Sequence, residues 1–178
     1  LGYVIEGTPA DCVVTGLQAL VSDVDLVVAG CNEGANLGAY TLGRSGTVSA
    51  AVESAFFDVP AIAVSMYIPT PEDTSLAEVT VDSADFTSAI RATTYLAEHA
   101  QDAGVFEQAE YLNVNAPVAD RASGELVITK PSLEYRMDAT RNGGEITLHD
   151  RIWELMAEDA VPDLEGTDRR AVVDGHVS

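Results

Sequence analysis

Positive charge is scarce in this chain. Its 178 residues hold nine lysines and arginines against 29 aspartates and glutamates, for a net charge of −20, and Lys130 is the single lysine. A field of that sign repels phosphate backbones, which excludes nucleic-acid polymers as non-specific partners. The acidic groups are spread along the chain rather than gathered into a tail, as on a surface adapted to high salt, where screening removes self-repulsion. A halophilic source is the expectation. Cysteine is nearly absent too: Cys12 and Cys31 make no disulfide framework and lack zinc spacing, so each is read as a small buried side chain. His99, His149 and His176 are far apart, share no metal-ligand spacing and are read as surface or packing residues. No apolar run approaches the roughly 18 residues of a membrane span, and no basic-then-apolar segment opens the chain. A cytoplasmic protein without membrane partners is expected.

What is present is enough apolar residue, 47%, for one substantial core, and a regular alternation of elements. "GYVIEG" reads as a strand ending at Gly7. "TPADCVVTGLQAL" reads as a helix with Thr8 as N-cap, Pro9 at the first helical position and Asp11 three residues after the cap. "DLVVAG" and "PAIAVS" read as strands buried on both faces, with "SGTVSAAVESAFF" a helix between them whose apolar line is Val48, Val52 and Phe56. A helix is expected over 82–100, with Phe86, Ala89, Ile90, Thr93, Leu96, Ala97 and Ala100 on one face, and then a strand, "EYLNVNAP".

This order predicts an α/β fold, a Rossmann-like three-layer sandwich with a mostly parallel sheet. From about residue 118 the pattern changes to alternating segments such as "ELVITK" and "EITLHD". A hairpin turn is expected at Asn142, Gly143 and Gly144. One domain over 1–178 is expected, with 118–160 as a hairpin or oligomerisation arm within it. The chain opens directly into strand pattern and stops in "DGHVS", which also reads as a strand, so truncation at both ends is the expectation.

The segment "AGCNEGANLGAYTLGRSGT", residues 29–47, lies after the second strand, where ligands bind in open α/β sheets. Its glycines let backbone amides approach a ligand closely. Ser45, Gly46 and Thr47 fall at the start of a helix, where free N–H groups and the helix dipole favour an anion such as phosphate. The segment lacks a Walker lysine and a dinucleotide fingerprint. Asn32 and Asn36 offer hard, neutral oxygens to magnesium, manganese or calcium, but a divalent ion needs a carboxylate beside them. A glycine-rich turn whose asparagines bond only their own chain is the remaining reading.

"GTPADCV", "AGCNEGANLG", "SGTVSAAVESAFFDVPAIAVS", "LNVNAP" and "EGTDRRAVVDGHVS", in that order, resemble the SurE family of acid-phosphatase-like nucleotidases. The resemblance implies metal-dependent hydrolysis of nucleoside 5′- and 3′-monophosphates, with some action on short polyphosphate. It implies one divalent ion, Mg or Mn, with Asn32 as a ligand, and Asn32 and Thr47 as the catalytic pair. It places Asn36, Ser45, Gly46 and Thr47 around the phosphate, with Gly7 and Thr8 beside that pocket. A homodimer or homotetramer is implied as well. The family's Asn-Asp-Asp-Gly motif and its serine ligand do not occur in these 178 residues, and His176 stands where the family usually carries an aromatic. The remaining metal ligands are therefore expected in a segment ahead of Leu1. If that aspartate pair is absent from the protein, a non-catalytic phosphate- or nucleotide-binding module is the alternative.

Overall fold

The computed structural model describes residues 1–69 and 86–178. Three strands, β1 (Val27–Glu33), β2 (Ala61–Tyr67) and β3 (Tyr111–Pro117), form a parallel sheet in the order β1-β2-β3. Parallel neighbours need crossovers, and helices supply them. A one-turn helix, α2 (Ala39–Leu42), and α3 (Gly46–Phe56) lie between β1 and β2, and α4 (Thr87–His99) precedes β3. Every residue of β2 is buried. Because successive side chains alternate sides, Ala61 and Ala63 pack with Val48 and Ala51 of α3, while Ile62 and Val64 pack with Ala89 and Ala92 of α4. The expected layers follow from that alternation: helix, sheet, helix.

A third apolar cluster, Ala35, Leu37, Tyr67, Met156, Val161 and Val172, lies past the carboxyl ends of β1 and β2. Two short helices, α5 (Ile152–Ala157) and α6 (Asp168–Val173), contribute to it, so the last part of the chain covers the end of the sheet where the glycine-rich segment emerges. At the other end of the chain, α1 (Pro9–Thr15) continues as a wider π-helical turn, Gly16–Leu20. Thr8, Pro9 and Asp11 act as expected: a complete capping box with proline in the first turn.

Several expectations are corrected. Residues 1–5 join no strand ladder, and Leu1, Tyr3 and Val4 are exposed, so "GYVIEG" is not a strand here. Strand composition needs a neighbouring strand to bond with, and this segment has none among the described residues. β1 is covered on one face rather than two, with Val28 47% exposed, and it runs on to Glu33, which makes Asn32 a strand residue. In α3 the buried line is Val48, Ala50, Ala51 and Ser54, while Phe56 is exposed. In α4 Ala89 and Ala92 are buried and Leu96 packs against the same core as expected, while Ile90 faces solvent. Small residues let both helices lie close to the sheet. Positions 82–85 of that expected helix lie outside the described residues.

The hairpin turn stands where expected, but its strands are β4 (Met137–Asn142) and β5 (Glu145–Asp150). "ELVITK" instead bridges the chain's last segment, Leu126 to Val177 and Lys130 to Thr167. Cys12 is exposed and Cys31 half-buried, against the expectation that both are buried. Among the described residues no helix is long and apolar enough to cross a membrane.

Candidate functional site

The carboxyl end of the sheet is polar where the rest of it is apolar. Asn32 on β1 pairs in register with Ser65 on β2, which pairs with Asn115 on β3. Asn113 is two residues before Asn115 and therefore shares its side of the sheet, the side that α3 covers. The loop after β1 is bound into this row of side chains. Asn36 N–H donates to Asn115 Oδ1 at 2.7 Å, and Asn36 Nδ2 donates to Ser65 Oγ at 2.7 Å. Its carbonyl accepts from Asn113 Nδ2 at 2.9 Å and Asn115 Nδ2 at 3.2 Å. Asn36, Ser65 and Asn115 are all buried, so each bond replaces one to water at sites where an unpaired group is costly.

The glycines now have separate reasons. Gly30, at φ +124°, lies against β2 so closely that a Cβ would overlap the Val64 carbonyl oxygen. Gly38, at φ +77°, lies under the guanidinium of Arg169, which a Cβ there would overlap. Its N–H donates to Asp168 Oδ2 at 2.7 Å. Asp168 Oδ1 meanwhile accepts from Ser132 N at 2.9 Å and Arg169 N at 2.8 Å. Arg169 is buried with Asp163, 3.9 Å from its carboxylate, and donates to Ser132 Oγ at 3.3 Å and to Glu134 O at 2.8 Å. The start of α6 thus clamps both the glycine loop and the segment around Ser132.

At the end of the loop Ser45 caps α3, its side chain accepting from Val48 N at 3.1 Å, while its carbonyl takes Ser49 N at 2.9 Å. The N–H groups of Gly46 and Thr47 meet no acceptor among the described residues, nor does the Thr47 hydroxyl. Free donors at the positive end of an 11-residue helix have the chemistry that an anion requires. The first motif reaches the same place: Pro9 Cγ and Cδ lie 3.4 Å from where a Gly46 Cβ would stand. Thr8 itself is occupied, its N–H and hydroxyl both bonded to Asp11 Oδ2 at 2.7 Å. Gly7 lies over the same carboxylate, with a Cβ position 2.7 Å from Asp11 Oδ2. Gly7 and Thr8 therefore shape the elbow that seats Pro9 against α3.

Asn32 Nδ2 donates to Gly34 O at 2.5 Å, which leaves its Oδ1 with no donor among the described residues. That atom is a neutral oxygen suited to a hard cation. As a metal site the set is incomplete: among the described residues no group of three or more His, Cys, Asp or Glu side chains is placed to hold an ion. The residues present do not fit a divalent ion by themselves. Burial first and the Glu33 charge second push the Cys31 thiol above the ordinary range, which favours its protonated form.

The segment 29–47 and the helix start were legible in the sequence. Ser65, Asn113, Asn115, Asp168 and Arg169 were not singled out. A signal existed for two of them: asparagine at alternate positions of a buried strand is unusual, because buried polar groups persist only when bonded.

The matches to known proteins follow the same residues. A family model described as "Survival protein SurE" matches residues 1–138. A protein named 5′-nucleotidase SurE from Haloarcula marismortui is 66% identical over 178 residues, covering 100% of this chain and 66% of its own length. One of the same name from Haloquadratum walsbyi is 65% identical, covering 99% and 67%. Among solved structures, the SurE protein from Aquifex aeolicus matches with a TM-score of 0.68 at 28% identity, over 97% of this chain and 65% of that one. This chain spans about two thirds of the length of these relatives. Sheet order, glycine-asparagine loop and capped helix start all lie within the matched span, and the chain belongs to the SurE family.

Proposed function

We propose that the protein carrying this chain hydrolyses nucleoside 5′- and 3′-monophosphates to nucleoside and phosphate, a phosphomonoesterase activity. The observation that carries the reading is the start of α3, where Gly46 N–H, Thr47 N–H and the Thr47 hydroxyl have no partner among the described residues. Three donors at a helix N-terminus match the equatorial oxygens of a phosphoryl group. They also strengthen as negative charge redistributes during its transfer. Asn36, bonded to Ser65, Asn113 and Asn115, fixes the loop that leads to them. Family membership and the names of the relatives support the same substrate class.

Asn32 Oδ1 is proposed as one ligand of a single Mg or Mn ion. Its carboxylate partners would be aspartates such as those of the family's Asn-Asp-Asp-Gly motif. Such an ion, if held there, would supply a Lewis acid for the phosphoryl oxygen and for a water. The test is phosphate release from a panel of nucleoside monophosphates by the full-length protein in molar salt, with manganese, with magnesium and with chelator. Release that requires the metal supports the reading. Release undisturbed by chelator refutes the metal's part, and no release from any nucleotide leaves the binding module as the better description.

The 118–160 arm is proposed as an oligomer contact of a dimer or tetramer. Ile146 and Leu148, on β5, alternate with polar residues and are 64% and 66% exposed. Size-exclusion in molar salt, comparing wild type with Ile146→Ser/Leu148→Ser, tests it: unchanged elution refutes the contact.

A further inference from the structure

A stack of side chains stands beside the proposed phosphate site. The Arg44 guanidinium carbon lies 4.3 Å from the centroid of the Tyr40 ring, and that ring lies 4.5 Å from the ring of Tyr135 at an angle of 51°. Arg44 immediately precedes Ser45, the cap of α3. It makes no ion pair with any carboxylate among the described residues, although the chain has 29 acidic side chains to offer. Its place is over an aromatic face instead.

The stack is held rather than loose. Ala39 N–H donates to Ser132 O at 2.9 Å, and Arg169 Nη1 donates to Glu134 O at 2.8 Å, so the backbone just before Tyr135 is pinned to α2, the short helix that carries Tyr40. Tyr135 nevertheless remains 47% exposed. The Tyr40 hydroxyl beside it holds the Tyr135 phenol above its ordinary range. A rigid, neutral aromatic face open to solvent, joined through Tyr40 and Arg44 to the first residue of an anion site, is suited to a flat ring attached to a phosphate.

We propose that Tyr135, backed by Tyr40 and Arg44, is the platform on which the nucleobase of the substrate stacks while its phosphate occupies the start of α3. This rests on the nucleotidase reading above. Stacking tolerates any base, because every base has a π face, so the platform accepts purines and pyrimidines alike. It acts on binding and leaves the phosphoryl step alone.

The test compares adenosine and uridine 5′-monophosphates with ribose 5-phosphate, which has the phosphate and sugar but no base. In the full-length protein in molar salt, Tyr135→Ala is expected to raise KM for both nucleotides about tenfold, with kcat unchanged and KM for ribose 5-phosphate within about twofold of wild type. Tyr135→Phe keeps the ring and is expected to match wild type. Calorimetric binding of adenosine 5′-monophosphate to the same variants reads the platform without turnover. A wild-type protein that binds the nucleotide but releases no phosphate therefore refutes the nucleotidase reading alone. Equal losses for ribose 5-phosphate, or unchanged nucleotide KM and affinity in Tyr135→Ala, overturn the platform.

Discussion

Asp168 accepts the backbone N–H of Gly38 at 2.7 Å, joining two residues 130 positions apart. The same carboxylate holds Ser132 N–H at 2.9 Å, so one buried side chain ties the glycine loop to the segment that carries Tyr135. The last helix of the chain thereby holds a loop that lies in its first quarter.

Replacing Asp168 with alanine leaves the buried N–H groups of Gly38 and Ser132 without acceptors. Each such group costs about 1–3 kcal/mol, so Asp168→Ala is expected to lower unfolding stability by about 2–6 kcal/mol, read from denaturant midpoints in molar salt. Asp168→Asn keeps the shape and one good acceptor and is expected to lose less. An alanine variant as stable as wild type would show that the clamp carries no weight.

Gly38 has no room for a side chain. Its φ of +77° and the overlapping Arg169 guanidinium both oppose a Cβ. Gly38→Ala is expected to cost about 1–3 kcal/mol from the backbone conformation alone, and more once Arg169 is displaced from its bond to Glu134 O. Thermal melts of wild type and variant, scanned alongside Gly43→Ala, measure it, because Gly43 has open space where a Cβ would go.

Ser45 and Thr47 separate stability from chemistry. Ser45 spends its hydroxyl on Val48 N–H, so Ser45→Ala is expected to cost about 0.5–2 kcal/mol of stability as a lost cap. The Thr47 hydroxyl bonds nothing among the described residues, and Thr47→Ala is expected to leave stability within about 0.5 kcal/mol of wild type. Under the proposed function it should lower turnover roughly 100-fold. Full turnover in Thr47→Ala would remove it from the site.

Acid stability follows from two carboxylates held below the ordinary range. Asp11 is lowered first by its backbone bond with Thr8, and Asp174 first by the side-chain bond from Arg170. In each case the unfolded chain binds the proton more readily, so stability rises with pH across the window. Their contribution is complete above the unfolded value of about 3.9 and is lost as pH falls through the lower folded values. Denaturation midpoints measured from pH 6 to pH 2 (roughly the span over which carboxylates protonate) should fall at the acid end. The fall should be shallower in Asp174→Asn.

Much of this molecule could be read before folding was considered. The strand β2 shows as a short apolar run and β3 as a strand segment closed by Pro117, the cap of α1 shows in Thr8, Pro9 and Asp11, and the turn of the hairpin shows in Asn142, Gly143 and Gly144. These are local properties: period, capping chemistry and turn conformation depend on residues a few positions apart. The glycine-asparagine loop and the helix start at Ser45 were legible for the same reason.

Tertiary structure alone decided the rest, because those features depend on partners remote in the chain. Whether "GYVIEG" pairs as a strand depends on a neighbour, and it has none among the described residues. The strand that faces β5 had several candidates of similar pattern, and proximity across a two-residue turn selected 137–142 over 125–130. Asn115 under Asn36, Asp168 under Gly38 and Tyr135 against Tyr40 are contacts across long stretches of sequence, and no local pattern encodes them. Sequence by itself determined which residues had the chemistry to make a site; burial, which forces every polar group to find a partner, determined which of them are bound into its frame and which remain free to meet a ligand.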